Sequence, residues 1–144
     1  MRIDGKWLLC DDHVLRPIIS GEILAANGSW ESVEFLVDTG ADRTVLSATT
    51  LAKLGLVPLA AKEAVGGLGG VAASVIVETQ IRLAREAARS VIFRGRYAGV
   101  TKLDALDIDV LGRDVTGLFA VVVDLPGDLV CLLGQRHGYK IESE

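Results

Sequence analysis

Between Val71 and Leu83 the odd positions are Val71, Ala73, Val75, Val77, Thr79, Ile81 and Leu83, while Ser74, Glu78, Gln80 and Arg82 fall on even ones. Ile76 is an apolar exception. A period of two belongs to an extended strand with one face on a core and the other toward water. Shorter stretches repeat the theme. Pro17 to Ala26 reads as a strand, a turn follows at Asn27-Gly28-Ser29, and a second strand runs from Trp30 to Val37. Ser90 to Val100 and Leu106 to Leu111 are further strands, and Phe119 to Asp124 and Leu129 to Leu133 flank a hairpin signal at Pro126-Gly127-Asp128. Helix signals are sparse. Ser47 is placed to cap a helix through Leu51 and Leu54 that Gly55 would end, and a very short helix fits Gly112 to Gly117. The expected class is all-β, a small closed-barrel-like fold with one or two short helices.

A chain of 144 residues suits one domain, here 1–144 with its core in about 16–133. Half the residues are apolar and the mean hydropathy is +0.40, which argues against disorder and hints at a surface buried against a partner. The net charge of −4 and the absence of a Lys/Arg block argue against nucleic-acid binding. No apolar run approaches the ~20 residues of a membrane helix; the best candidate, Gly117 to Leu125, is interrupted by Asp124. Met1 to His13 carries charges where a signal peptide needs an apolar stretch, so the expected location is cytoplasmic. Cys10 and Cys131 are too few for a disulfide framework and read as small buried hydrophobes.

One segment concentrates chemistry. Phe35-Leu36-Val37 is an apolar strand running straight into Asp38-Thr39-Gly40-Ala41. A carboxylate at the end of a buried strand is costly unless it is hydrogen-bonded or put to use. Thr39 supplies a hydroxyl for neighbouring backbone, and Gly40 permits a tight turn and close approach of another chain.

The run from Leu36 through Asp38-Thr39-Gly40-Ala41-Asp42-Arg43-Thr44 to Leu46 resembles the signature of the retropepsins, the single-domain retroviral-type aspartic proteases. Further features stand in the family's order. Arg16-Pro17 precedes the first strand, a glycine-rich stretch Val65-Gly66-Gly67-Leu68-Gly69-Gly70 stands where the flap would be, and Asp109-Val110-Leu111-Gly112-Arg113-Asp114 resembles the segment that begins the family's short helix. The resemblance covers roughly residues 16 to 124. It implies an acid-protease fold with a flap hairpin, an aspartic endopeptidase activity on peptide or protein substrates, and no cofactor or metal. Only one Asp-Thr-Gly is present, so each chain would hold half a site and a homodimer would bring the second Asp38 across a two-fold axis.

The resemblance also implies roles. Asp38 would be catalytic, with Thr39, Gly40 and Ala41 forming its loop. Leu36, Ile108 and Val110 would line apolar subsites, Asp42 would contact the bound peptide, and Val65, Gly66, Gly67 and Leu68 would close over it, with the Leu68 N–H aimed at a bound water or carbonyl. Arg113 would pair with Asp42, and Arg16 would reach the partner's Asp42. Ala41 lacks a hydroxyl that would lower the dyad's pKa, so activity nearer neutral pH than in pepsin-like enzymes is expected. Arg43 stands where viral enzymes often carry an acid, which favours acidic or neutral groups at the outer subsites. Other constellations are weaker. The glycine stretch lacks the Gly-Lys-Ser/Thr ending of a phosphate loop, and Cys10-Asp11-Asp12-His13 has no second cluster to complete a metal site. A retropepsin-like dimer that binds peptides or partner proteins without cutting them is the competing reading. In place of the viral terminal strand stands the Leu118 to Leu133 hairpin, an ending more like cellular and bacterial members.

Overall fold

The computed structural model describes residues 1–67, 70–134 and 142. Its strands are β1 (Arg2–Asp4), β2 (Lys6–Leu9), β3 (Leu15–Leu24), β4 (Trp30–Val37), β5 (Val45–Leu46), β6 (Leu59–Gly67), β7 (Gly70–Arg85), β8 (Arg89–Val100), β9 (Asp109–Leu111), β10 (Ala120–Asp124) and β11 (Leu129–Leu133). Two short helices interrupt them, α1 (Ala48–Leu54) and α2 (Arg113–Thr116).

Six strands close into a barrel in the order β3-β4-β9-β5-β8-β7, with β2 and β6 continuing the sheet beyond the ring. The alternating segment is β7, which pairs with β8 from Ser74↔Val100 to Arg85↔Arg89. The ring closes where β3 meets β7, through Gly21↔Leu83, Glu22↔Arg82 and Ile23↔Ile81. Gly21 is needed at that seam, because a Cβ there would lie 2.6 Å from the Leu83 side chain and 3.0 Å from the Arg82 carbonyl. Inside, Ile19, Ile23, Phe35, Leu46, Val77, Ile81, Leu83 and Leu111 are fully enclosed. A smaller cluster of Val45, Ile76, Ala98, Val100 and Val110 lies beside Leu36 and Ala41.

The Ser47 cap forms as its sequence position implies, its hydroxyl accepting the Thr50 N–H, and Gly55 ends α1 in the left-handed region at φ 62°. The strand expected over Leu106 to Leu111 forms only at Asp109–Leu111, where it pairs with Phe35–Val37 of β4. Strands β1, β2, β5 and β6 carried no usable pattern. β1 has a single inward side chain, Ile3, between Arg2 and Asp4, and it is recruited by β11 rather than by its own periodicity. Together β1, β11 and β10 make a separate three-stranded sheet, in which the expected Leu118 to Leu133 hairpin supplies β10 and β11. Both cysteines are free thiols, Cys131 within the core.

No described helix is long and apolar enough to cross a membrane. Phe35 is wholly enclosed at the centre of the barrel. Phe35→Ala is therefore expected to remove about 3–5 kcal/mol of stability, as measured by urea unfolding.

Candidate active site

Strand β4 delivers Asp38 to the edge of the barrel. Its last residues run parallel to β9, pairing Phe35↔Asp109, Leu36↔Val110 and Val37↔Leu111, and the Asp38 N–H extends this ladder to the Leu111 carbonyl at 3.2 Å. The chain then turns. Asp38 Oδ1 accepts the Gly40 N–H at 2.9 Å, and the Ala41 N–H returns to the Asp38 carbonyl at 3.2 Å. Asp38 is half-buried, while Thr39 and Gly40 are exposed. A carboxylate held by a backbone donor, with no side-chain donor among the described residues, keeps an open face for a water or a second acid.

The loop is clamped from the α2 side. Arg113 donates its backbone N–H to the Ala41 carbonyl at 2.9 Å and Nη1 to the Thr39 carbonyl at 2.8 Å, and Nη2 pairs with Asp42. Thr44, fully buried, donates its N–H and hydroxyl to Asp114 Oδ1 at 2.9 and 2.7 Å and accepts the Gly112 N–H at 3.1 Å. Gly112 permits this contact: a Cβ there would overlap the Arg43 carbonyl group and lie 2.7 Å from the Thr44 nitrogen.

A fourth carboxylate works below. Asp109, only 6% exposed, accepts the Ser47 N–H and the Thr50 hydroxyl, both at 2.7 Å. It fastens the start of α1 to β9, the strand lying beside β4. Charge-assisted bonds of this kind are what make a buried carboxylate tolerable. Asp109, Asp114 and Thr44 had no assigned role in the sequence. The available signal was polar residues embedded in apolar strand sequence, as in Thr44-Val45-Leu46 and Ile108-Asp109-Val110.

The residues expected to line apolar subsites divide. Val110 is buried in the small cluster, where Leu36 packs half-buried against it. Ile108 instead lines a groove of about 1030 Å³ running past Leu8, Asp12, Arg16, Thr50 and Leu106, which Asp38 does not line. Gly66 and Gly67 stand near the end of a long hairpin, where Val65↔Ala72, Gly66↔Val71 and Gly67↔Gly70 pair β6 with β7. Leu68, expected at the tip, lies outside the described residues.

Arg16 holds Asp12 of its own chain with both guanidinium ends, at 2.8 and 2.6 Å. That bond pulls the Asp12 carboxyl down to about 2. Among the described residues, no group of three or more His, Cys, Asp and Glu is arranged to hold a metal ion.

The family model described as "gag-polyprotein putative aspartyl protease" matches residues 24–115, more than half of the chain. No curated protein matches. Among solved structures, a retropepsin-like aspartic protease from Rickettsia conorii aligns at a TM-score of 0.53 with 21% identity, covering 92% of this chain and 88% of that one. The EIAV protease, solved with an inhibitor, aligns at a TM-score of 0.48 with 24% identity, covering 71% of this chain and 86% of that one.

Two outcomes follow from this geometry. Gly112→Ala should lose about 1–3 kcal/mol in denaturant unfolding, because the Arg43–Thr44 backbone must move to admit a methyl group. Asp12 should titrate near 2, and Arg16→Ala should return it toward 3.8, as read from NMR carboxyl shifts. Its folded value lies below the unfolded one, so its contribution to stability is complete above about pH 4 and lost as pH falls through about 2.

Proposed function

We propose that this chain, which belongs to the retropepsin-like aspartic protease family, is an endopeptidase whose site forms when two copies bring their Asp38 residues together. The observation that carries the reading is Asp38 itself. It stands half-buried at the end of a core strand, on a turn clamped through Arg113, with a face free of side-chain donors among the described residues.

One carboxylate is not enough for the reaction. Peptide hydrolysis by this route needs a base toward water and an acid toward the carbonyl oxygen. Two carboxyl groups in contact cannot both ionise, so the pair holds one proton between them, as aspartic protease dyads do. The ionised Asp38 takes a proton from water as its oxygen attacks the carbonyl carbon, and the protonated Asp38 gives its proton to the carbonyl oxygen. Collapse of the tetrahedral intermediate breaks the C–N bond and delivers a proton to the leaving amine. The Asp-Thr-Gly turn fits this task because its backbone bonds fix the carboxylate without neutralising it.

The remaining parts take roles around the dyad. The β6–β7 hairpin acts as a flap over an extended peptide, and closure excludes water from the reacting centre. Arg113 positions the loop through Thr39 and Asp42. Leu36, half-buried against Val110, supplies apolar surface for substrate side chains, and Asp42 meets the peptide beside the scissile bond. Arg16 reaches the partner's loop only by exchanging its bond to Asp12 for one to the partner.

Asp38→Asn should reduce cleavage of a peptide library by on the order of a thousandfold or more, with the fold and the dimer retained by circular dichroism and sedimentation. A wild-type dimer that cuts no peptide from acid to neutral pH would overturn the reading and leave a peptide-binding module.

A further inference from the structure

The groove of about 1030 Å³ lies outside the clamp around Asp38 and has no part in the chemistry described above. Its size stands at the upper end of the roughly 300–1,000 Å³ of ligand clefts. Leu8, Val33, Leu106 and Ile108 give it apolar lining from β2, β4 and the segment before β9. Among them stand six carboxylates, Asp11, Asp12, Glu34, Asp104, Asp107 and Asp109, and one guanidinium, Arg16. Six negative charges and one positive make a formal −5, against −4 for the whole chain. The acidity of the molecule is concentrated here.

Part of that charge is already used. Arg16 holds Asp12, Lys6 pairs with Glu34 at 2.9 Å, and Ser47 and Thr50 donate to Asp109. Asp11, Asp104 and Asp107 are exposed, with no ion pair or side-chain hydrogen bond among the described residues. These acids do not converge, since no three ligand-type side chains among the described residues are arranged for a metal ion. Charges spread along a groove complement a ligand whose own charges are spread. A basic peptide in extended form is such a ligand, with cations at intervals and apolar side chains between them.

We propose that this groove is an exosite for a basic, leucine-bearing segment of the protein substrate, held in extended form away from the bond that is cut. That the occupant is substrate rests on the protease reading; that the groove takes a basic peptide does not. Position favours the substrate over an unrelated partner. The wall formed by Asp104 to Ile108 leads directly into β9, whose Leu111 accepts the Asp38 N–H. Ile108 is three residues from Leu111, roughly 10 Å of extended chain. A peptide engaged at Asp38 therefore reaches the groove with a handful of further residues. Arg43 does not line the groove, so this basic preference is separate from the one expected at the outer subsites. Unpaired carboxylates draw in the cationic segment, in a salt-dependent way, and the apolar lining holds its leucines.

The test uses the full chain and end-blocked hexapeptides that alternate lysine with leucine, or glutamate with leucine. Titration with the lysine peptide should be saturable, should move the NMR amide signals of Leu106 and Ile108, and should weaken as salt rises. Asp104→Asn combined with Asp107→Asn should weaken binding about tenfold, as two lost exposed ion pairs imply, with melting unchanged. Asp104→Lys combined with Asp107→Lys should turn the preference to the glutamate peptide, which a misfolded protein would not do. In cleavage assays, joining the lysine–leucine segment to a cleaved peptide should lower KM in the wild type, and the double asparagine variant should lose that gain. No saturable binding, signals moving only in the Asp38 loop, spermine binding as tightly as the peptide, or a double asparagine variant that binds as the wild type does would each overturn the proposal. An extension that leaves KM unchanged in a chain that cuts peptides also overturns it, and the protease reading then stands. If the lysine peptide binds in the groove but the chain cuts nothing, the groove stands as a basic-peptide site and the protease reading falls.

Discussion

The site depends on one close approach of two backbones. Gly112 lies so near Arg43 and Thr44 that no side chain fits between them, and Thr44 uses that proximity to bind both Gly112 and Asp114. The loop carrying Asp38 is thereby pinned to the start of α2, from which Arg113 reaches back to Thr39 and Asp42. The two segments thus hold each other in place through these bonds. The flanking barrel supplies rigidity, and this contact converts rigidity into a fixed carboxylate.

Three acids near this contact show how environment sorts chemically identical groups. Asp109 and Asp114 accept hydrogen bonds from buried Ser47 and Thr44 and half-buried Thr50 and serve as structural joints. Asp38 accepts one backbone donor and is otherwise open on its exposed side. The acids spent on structure are those flanked by donors within their own chain, and the acid left for chemistry is the one whose complement must come from elsewhere.

Sequence patterning was most informative where one strand face is buried along its length. The alternation of β7 and the boundaries of β4 and β11 could be read directly, and so could α1, whose Ser47 cap and Gly55 stop are local signals. β1 and β5 could not be, since strands of three and two residues have no period, and their pairing with β11, β8 and β9 is set by distant residues. Within the site, Asp38-Thr39-Gly40 was conspicuous because glycine and acid punctuate an apolar run. The bonds of Asp109 to Ser47 and Thr50 span 62 and 59 positions, which no local pattern encodes. Arg16 illustrates the same limit, since its nearest acid proved to be Asp12, four positions away, in a turn whose shape only the fold sets.

The closing seam of the barrel has a consequence for how the chain assembles. Strand β3 is made early in the sequence, yet Gly21, Glu22 and Ile23 wait for Leu83, Arg82 and Ile81 before they have neighbours on that side. The β7–β8 hairpin can zip locally, but ring closure must gather a long intervening loop and lose its freedom before any contact repays it. A polypeptide emerging from a ribosome would thus hold an open, half-sealed sheet until residue 83 had left the exit tunnel, and the enclosure of Phe35 would be among the last events of its folding.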